Sequence, residues 1–331
     1  MTSPTVSVVI PTYNRTDYLG TCLEHVLTQS VQSAEVVVVD ASPGTETALL
    51  VETFPTVTYV RSPHGRGTTA TSRAIGIERT SGDVVAFLDD DAYPRPDWLE
   101  QLISRYTDPT VAGVGGRTIN GQPGEEFEGR DRVGKLLADG ALTGYFAAMT
   151  DGDVEVDHLL GANMSMRRNV IEELGGIRDF YPGTCLREES DIALRARVAG
   201  YRLTYTPDAV VRHVGGTYAK GHRFDRRYEY YAARNHAVLL LTTLGLHDPR
   251  ARANPRAAAR KVAGHIGYAA LSLASKPGGS RNRYRGAANG LSRAAVSLAG
   301  AVVGHAVALR LLHDLDRPSH NSGNAPASTK E

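Results

Sequence analysis

A chain of 331 residues with 41% hydrophobic and 22% charged content has room for one large α/β domain with an appendage, or for two modest domains. Its formal net charge of +1 excludes a chain that is basic or acidic throughout, but the charge is uneven: between Lys220 and Arg293 only Asp225, Glu229 and Asp248 oppose the lysines and arginines. Two distant cysteines, Cys22 and Cys185, exclude a disulfide framework and a cysteine-built metal centre.

Residues 6–10 form a β-branched run closed by Pro11, which predicts the first strand. Thr16 or Asp17 caps a predicted helix to about Gln29, with Leu19, Leu23, Val26 and Leu27 on one face. Residues 36–40 predict a second buried strand ending in Asp40, with Ser42, Pro43 and Gly44 in its loop, and residues 57–60 predict a third. Gly65-Arg66-Gly67 then turns the chain into a helix over about 69–80. Residues 84–88 are five apolar residues without alternation, the pattern of a strand buried on both faces, and they run straight into Asp89, Asp90 and Asp91.

This order of strands and helices is a nucleotide-binding arrangement, in which ligands gather at the carboxyl edge of the sheet. Thr12, Asp40 and Asp89 each follow a strand and are expected to meet there. Three adjacent carboxylates repel one another and call for a compensating positive charge. A hard divalent cation is the natural candidate, since it takes carboxylate oxygens and shares its other positions with phosphates. The plainer alternative is a solvated acidic turn that caps the helix beginning near Pro96.

Further on, a helix is expected over about 96–106, a strand over 111–116, and loop with short elements over 122–153. Glu188 and Glu189 open a helix that ends at Gly200, where negative charge also suits the positive end of the helix dipole. A short strand over 201–205 follows, then the segment carrying His213, a residue type that binds metals readily. Residues 218–234 are basic and aromatic, and predict a flap or helix that grips a diphosphate or an anionic lipid carrier. Residues 256–312 predict two or three helices broken at Pro277-Gly278-Gly279, and 317–331 a disordered tail.

Three segments together carry a resemblance. They are Val8-Val9-Ile10-Pro11-Thr12-Tyr13-Asn14-Arg15, Val38-Val39-Asp40-Ala41-Ser42 and Phe87-Leu88-Asp89-Asp90-Asp91. In order and spacing they resemble the inverting glycosyltransferases of family 2, over roughly residues 6–244. Two departures stand out: Ala41 follows Asp40 where the family usually has a second acid, and Ser72-Arg73-Ala74 replaces the usual Ala-Arg-Asn.

The resemblance implies an α/β GT-A fold, a mixed and mostly parallel sheet flanked by helices, with a helical C-terminal extension. It divides the chain into a catalytic domain at 1–245, the extension at 246–316 and the tail at 317–331. It implies a nucleotide-diphosphate sugar as donor. Pro11, Thr12, Tyr13, Arg15 and Ser42 would lie by the nucleoside, with Asp40 accepting from the base. Arg73 would approach the diphosphate, beside Asp89 and Asp90. Asp91, with Asp89 and His213, would hold Mn2+ or Mg2+. Gly161, Ala162 and Asn163 would lie on the acceptor side, Asn163 bonding either sugar or backbone; Trp98, in the first turn of its helix, reads either as a sugar platform for the acceptor or as packing. The second acid of the family's Glu-Asp motif, the general base, falls on Glu189. Glutamate replaces aspartate there, so the choice between Glu188 and Glu189 stays open.

The implied reaction is sugar transfer with inversion to a glycan, lipid-linked or small-molecule acceptor. The alternatives are a non-catalytic nucleotide-sugar binding protein and a metal-dependent nucleotidyltransferase. No nucleic-acid partner is expected. An N-terminus without a signal-type core predicts the cytoplasm. No stretch reads as a convincing membrane span; the closest, 294–312, is interrupted by His305 and Arg310. The C-terminal helices are expected either to pack on the catalytic domain or to rest peripherally on the inner, anionic face of a membrane.

Overall fold

The structure, a computed structural model, describes residues 3–183, 185–215, 226–274 and 280–315. Its first half alternates as β1 (Val6–Thr12), α1 (Thr16–Leu27), β2 (Glu35–Asp40), α2 (Glu46–Val51), β3 (Val57–Arg61), α3 (Thr69–Glu78) and β4 (Val84–Leu88). β1, β2, β3 and β4 pair in parallel, and β1, β2 and β4 show the unbroken apolar runs of strands covered on both faces, while the edge strand β3 is partly exposed. Pro11 lies inside β1 rather than after it. β4 stops pairing at Val9↔Phe87, so the proline falls where only β2 remains alongside.

The second half adds β5 (Ala92–Pro94), α4 (Trp98–Ile103), β6 (Val111–Ile119), β7 (Val154–Val156), β8 (Asn163–Arg167), α5 (Arg168–Glu173), α6 (Glu188–Val198) and β9 (Arg202–His213). β8 enters antiparallel between β4 and β6, and the sheet runs β3-β2-β1-β4-β8-β6-β9-β5, with β7 also on β9. The sheet is therefore mixed, with its parallel part at one side. β9 is one strand where the sequence suggests a short strand followed by a separate segment.

Alternate residues of the central strands feed two apolar layers. Val8, Ile10, Ala86 and Leu88 face α1 and α4, against Leu19, Leu23, Trp98 and Leu99. Val9, Val85 and Phe87 face the other way, against Met164, Met166, Ile192 and Ala193.

Three helices close the described chain: α7 (Arg226–Leu244), α8 (Pro249–Ala274) and α9 (Ser280–Leu315). Val238, Leu239, Leu240 and Leu241 of α7 join Leu194 of α6, Tyr181 and Ala308 of α9 in a third apolar cluster. α9 turns a small-residue face inward, with Ala294, Ala301 and Ala308 buried one heptad apart. A Cβ on Gly300 or Gly304 would run into the carbonyl oxygens of Tyr230 and Arg234, so glycine is what lets α9 lie directly on α7. Contrary to the sequence reading, residues 283–315 form a helix long and apolar enough to cross a membrane by length and composition, because His305 and Arg310 do not break its apolar stretch. The expected break at 277–279 lies outside the described residues.

Candidate active site

The acidic corner is built by register. β4 delivers Asp89 to the carboxyl edge of the sheet, and β5, which begins immediately after Asp91, pairs antiparallel with the end of β9. That pairing sets His213 opposite Ala92, and the Val214 amide donates to the Asp91 carbonyl at 3.0 Å. His213 Nε2 thus reaches to 3.2 Å from Asp91 Oδ1. One ligand atom each from Asp89, Asp91 and His213 lies within 4.8 Å of the others. Two carboxylates and an imidazole are a donor set that suits Mn2+.

Arginines partner all three carboxylates. Asp89 Oδ1 accepts from Arg73 Nη2 at 3.0 Å, Asp90 Oδ1 from Arg15 Nη1 at 2.9 Å, and Asp91 from the other arm of Arg15. Asp90 also accepts from the Thr12 hydroxyl at 2.7 Å. Burial outweighs these partners and pushes the Asp90 carboxyl up to about 7. Burial also opposes ionisation of Asp91, but His213 and Arg15 together hold that carboxyl below its usual range. Repulsion within the triplet is therefore met by arginine and histidine, and the case for a metal rests on the donor set.

Arg73, on α3, is only 2% exposed. It stands between the two acidic centres. Its guanidinium donates to Asp89, to the Gly161 carbonyl at 2.9 Å and to Glu188, with which it forms an ion pair. A Cβ at position 161 would fall 2.6 Å from the guanidinium nitrogens, which accounts for the glycine.

Glu188 and Glu189 are brought opposite Asp89 by a sharply bent approach. Cys185 and Arg187 both take left-handed backbone conformations, with φ of 55° and 87°, before α6 starts at Glu188. Glu188 is buried and tied to Arg73, while Glu189 is half-buried. Burial pushes both carboxyls up. Arg73 pulls them back, but the acids also repel each other and Asp89, and Glu188 comes to about 8. Glu188 and Glu189 therefore retain a proton more readily than an isolated glutamate does.

One cleft of about 280 Å³ gathers Pro11, Thr12, Tyr13, Arg15, Arg73, Asp89, Asp90, Gly161, Ala162, Glu188 and Glu189. It also includes Gly65, Gly67, Thr68, Thr69, Leu160, Cys185 and Leu186, which the sequence did not single out as site residues. The Gly-Arg-Gly loop ahead of α3 was the available signal, since backbone amides at such a turn suit phosphate.

Other expected residues lie elsewhere. Asp40 is fully buried, and its carboxylate is already taken by the Ser42 amide at 2.8 Å, the Tyr59 hydroxyl at 2.9 Å and Arg61 at 3.1 Å. The Ser42 hydroxyl accepts from the Asn14 amide at 2.8 Å, so the pair braces the loop after β1 from behind. Trp98 and Asn163 are also fully buried. The indole donates to Asn163 Oδ1 at 2.8 Å, and the Asn163 amide donates to the carbonyls of Arg117 and Ala209 at 3.1 and 2.9 Å. Neither side chain presents a face to an acceptor. Of the basic segment 218–234, residues 218–225 lie outside the described residues, and Arg234 is turned inward to the Phe180 carbonyl and Asn235.

A parallel half-sheet ending in carboxylates, joined through an antiparallel strand to a second half that returns a histidine to them, defines the GT-A class of folds. The sequence profile of glycosyl transferase family 2 matches residues 7–175, just over half of the chain, and the chain belongs to that family. Among curated relatives, the pre-mycofactocin glycosyltransferase of Mycobacterium tuberculosis is 32% identical over 211 residues, covering 63% of this chain and 42% of that protein. The match therefore spans less than half the length of that relative. The glucosyl-dolichyl phosphate glucuronosyltransferase of Haloferax volcanii is 30% identical over 220 residues, covering 63% and 68%. Among solved structures, the mannosyltransferase PcManGT from Pyrobaculum calidifontis, in complex with GDP-Man and Mn2+, shares the fold at a TM-score of 0.58 and 22% identity, over 92% of this chain and 88% of that one. S. aureus TarS 1-349 shares it at 0.55 and 15%, over 94% and 92%.

Proposed function

We propose that the protein transfers a sugar from a nucleotide-diphosphate donor to an acceptor hydroxyl with inversion at the anomeric carbon. The observation that carries this reading is one cleft lined by both Asp89 and Glu189, with Arg73 joining Asp89 to Glu188 beside them. The nucleoside lies by Thr12 and Tyr13, and Gly161 and Ala162 border the acceptor side. Asp40 and Ser42 act through the loop they brace. The catalytic unit is 1–245, with 246–316 as its extension.

Asp89, Asp91 and His213 are the residues that would hold Mn2+ or Mg2+, which supplies positive charge where the diphosphate departs. Glu189 is assigned as the base because it lines the cleft and forms no ion pair among the described residues, whereas Glu188 is committed to Arg73. Its carboxylate takes the proton of the acceptor hydroxyl as that oxygen bonds to the anomeric carbon. The bond from that carbon to the diphosphate oxygen breaks, and the nucleoside diphosphate leaves with the electron pair. Attack from the face opposite the leaving group inverts the centre in one displacement.

The acceptor class in this reading is a glycan, lipid-linked or small hydroxyl compound. Two free thiols, Cys22 and Cys185, support a cytoplasmic setting. A mass-spectrometric screen of nucleotide sugars with the purified full chain and Mn2+ tests the proposal, followed by NMR of the product anomer. The expected result is nucleoside diphosphate release with a product of inverted configuration. Binding of donors without any turnover, or a product of retained configuration, would overturn it.

A further inference from the structure

α9 has two faces of different character. Its small residues pack on α7, but its larger apolar residues point away from the protein. Leu291, Leu298, Val302 and Leu309, spaced by seven, four and seven and so on one side of the helix, are 55%, 53%, 61% and 52% exposed. The far half of α8 behaves in the same way: residues 262–274 contain no Asp, Glu, Lys or Arg, and Ile266, Tyr268 and Leu273 are about half exposed. A soluble surface seldom carries so continuous an apolar face without a partner.

Charge identifies the partner. Residues 249–313 contain eleven lysines and arginines and no aspartate or glutamate. Arg285 and Arg310, both exposed, bracket the apolar row of α9. A second copy of the chain would bring this charge against itself. A surface that is apolar beneath and anionic above matches it on both counts.

We propose that the α8–α9 hairpin docks the protein on an anionic lipid bilayer, with the outer row of α9 lying in the interface. The helix lies along the bilayer rather than through it. Its apolar stretch is the same stretch that rests on α7 at Gly300 and Gly304, and α7 carries the buried side chains of Glu229 and Arg234. Spanning would take those groups into hydrocarbon, where charged side chains are costly. This inference is independent of the transfer reaction proposed above.

Co-sedimentation of the full chain with vesicles of neutral lipid, and of neutral lipid mixed with increasing anionic lipid, tests it. Binding should rise with anionic content and fall with salt. Leu298→Ser with Val302→Ser should weaken it by about tenfold or more. Arg285→Gln and Arg310→Gln should each weaken it by about fivefold. All four positions are exposed, so the thermal midpoint should not move. Failure to bind anionic vesicles at low salt would overturn the proposal, as would equal binding to neutral vesicles. A dimer in sedimentation equilibrium that Leu298→Ser and Val302→Ser abolish would assign the face to a second copy instead.

Discussion

Arg73 and Glu188 stand 115 residues apart in sequence and meet as an ion pair in the interior, each 2% exposed. The same guanidinium reaches Asp89, so one cation joins the carboxyl edge of the sheet to the start of α6. Removing it leaves the buried Glu188 carboxyl without its partner. Arg73→Leu should lower stability by about 3–5 kcal/mol, the usual cost of breaking a buried pair from one side. Urea unfolding measures this, and adding Glu188→Leu should restore part of the loss. A loss under about 1 kcal/mol would mean the pair carries little structural weight.

Trp98 and Asn163 should behave as structural residues. Trp98→Phe removes the indole donor from a buried amide oxygen, at a cost of about 1–3 kcal/mol. Acceptor KM should stay unchanged in the soluble, folded variant. A raised KM with an unchanged melting temperature would return Trp98 to the acceptor site.

How far this was legible in the sequence differs by element. β1, β2 and β4 announced themselves as apolar runs that end beside or in polar loops, and burial on both faces makes that signal strong. β5 did not, since three residues ending in Pro94 resemble a loop. Its pairing with β9 is nonetheless what brings His213 to Asp91. β8 lies in a segment that resembles the acceptor side, and its first residue, Asn163, suits either a sugar or the backbone. Its side chain is instead consumed by three interior hydrogen bonds, which no local pattern reveals. Arg73 stands out in the sequence as a site residue, but its partners, 16 and 115 positions away, leave no local signal.

The metal assignment predicts that donor binding depends on the cation through Asp91 and His213. In Asp91→Ala, calorimetric titration with donor should give the same weak affinity with and without Mn2+, while the fold persists. His213→Ala should shift the cation requirement to higher concentration. Metal dependence unchanged in both variants would remove the triad as the binding site.

Stability and turnover should move in opposite directions with pH. Burial raises the Glu188 carboxyl from the ordinary glutamate value of about 4.3 to about 8. A group raised in the folded state stabilises it most below the unfolded value, and that contribution is lost as pH rises through the folded value. Unfolding free energy should therefore decline from about pH 5 to pH 8, and Glu188→Gln should flatten the decline. Glu189 is raised as well, so turnover, which needs the carboxylate, should increase with pH and do so at higher pH than an ordinary glutamate would give. Stability that climbs steadily with pH would contradict the assignment.

The most direct measurement compares Glu189→Gln with Glu188→Gln in single-turnover transfer alongside donor affinity. With Glu189 as base, its glutamine variant should bind donor normally and lose roughly a hundredfold or more in rate. Glu188→Gln should lose stability and only a smaller part of the rate. Near-normal transfer by Glu189→Gln, with the large rate loss in Glu188→Gln, would contradict the account and give the base role to Glu188.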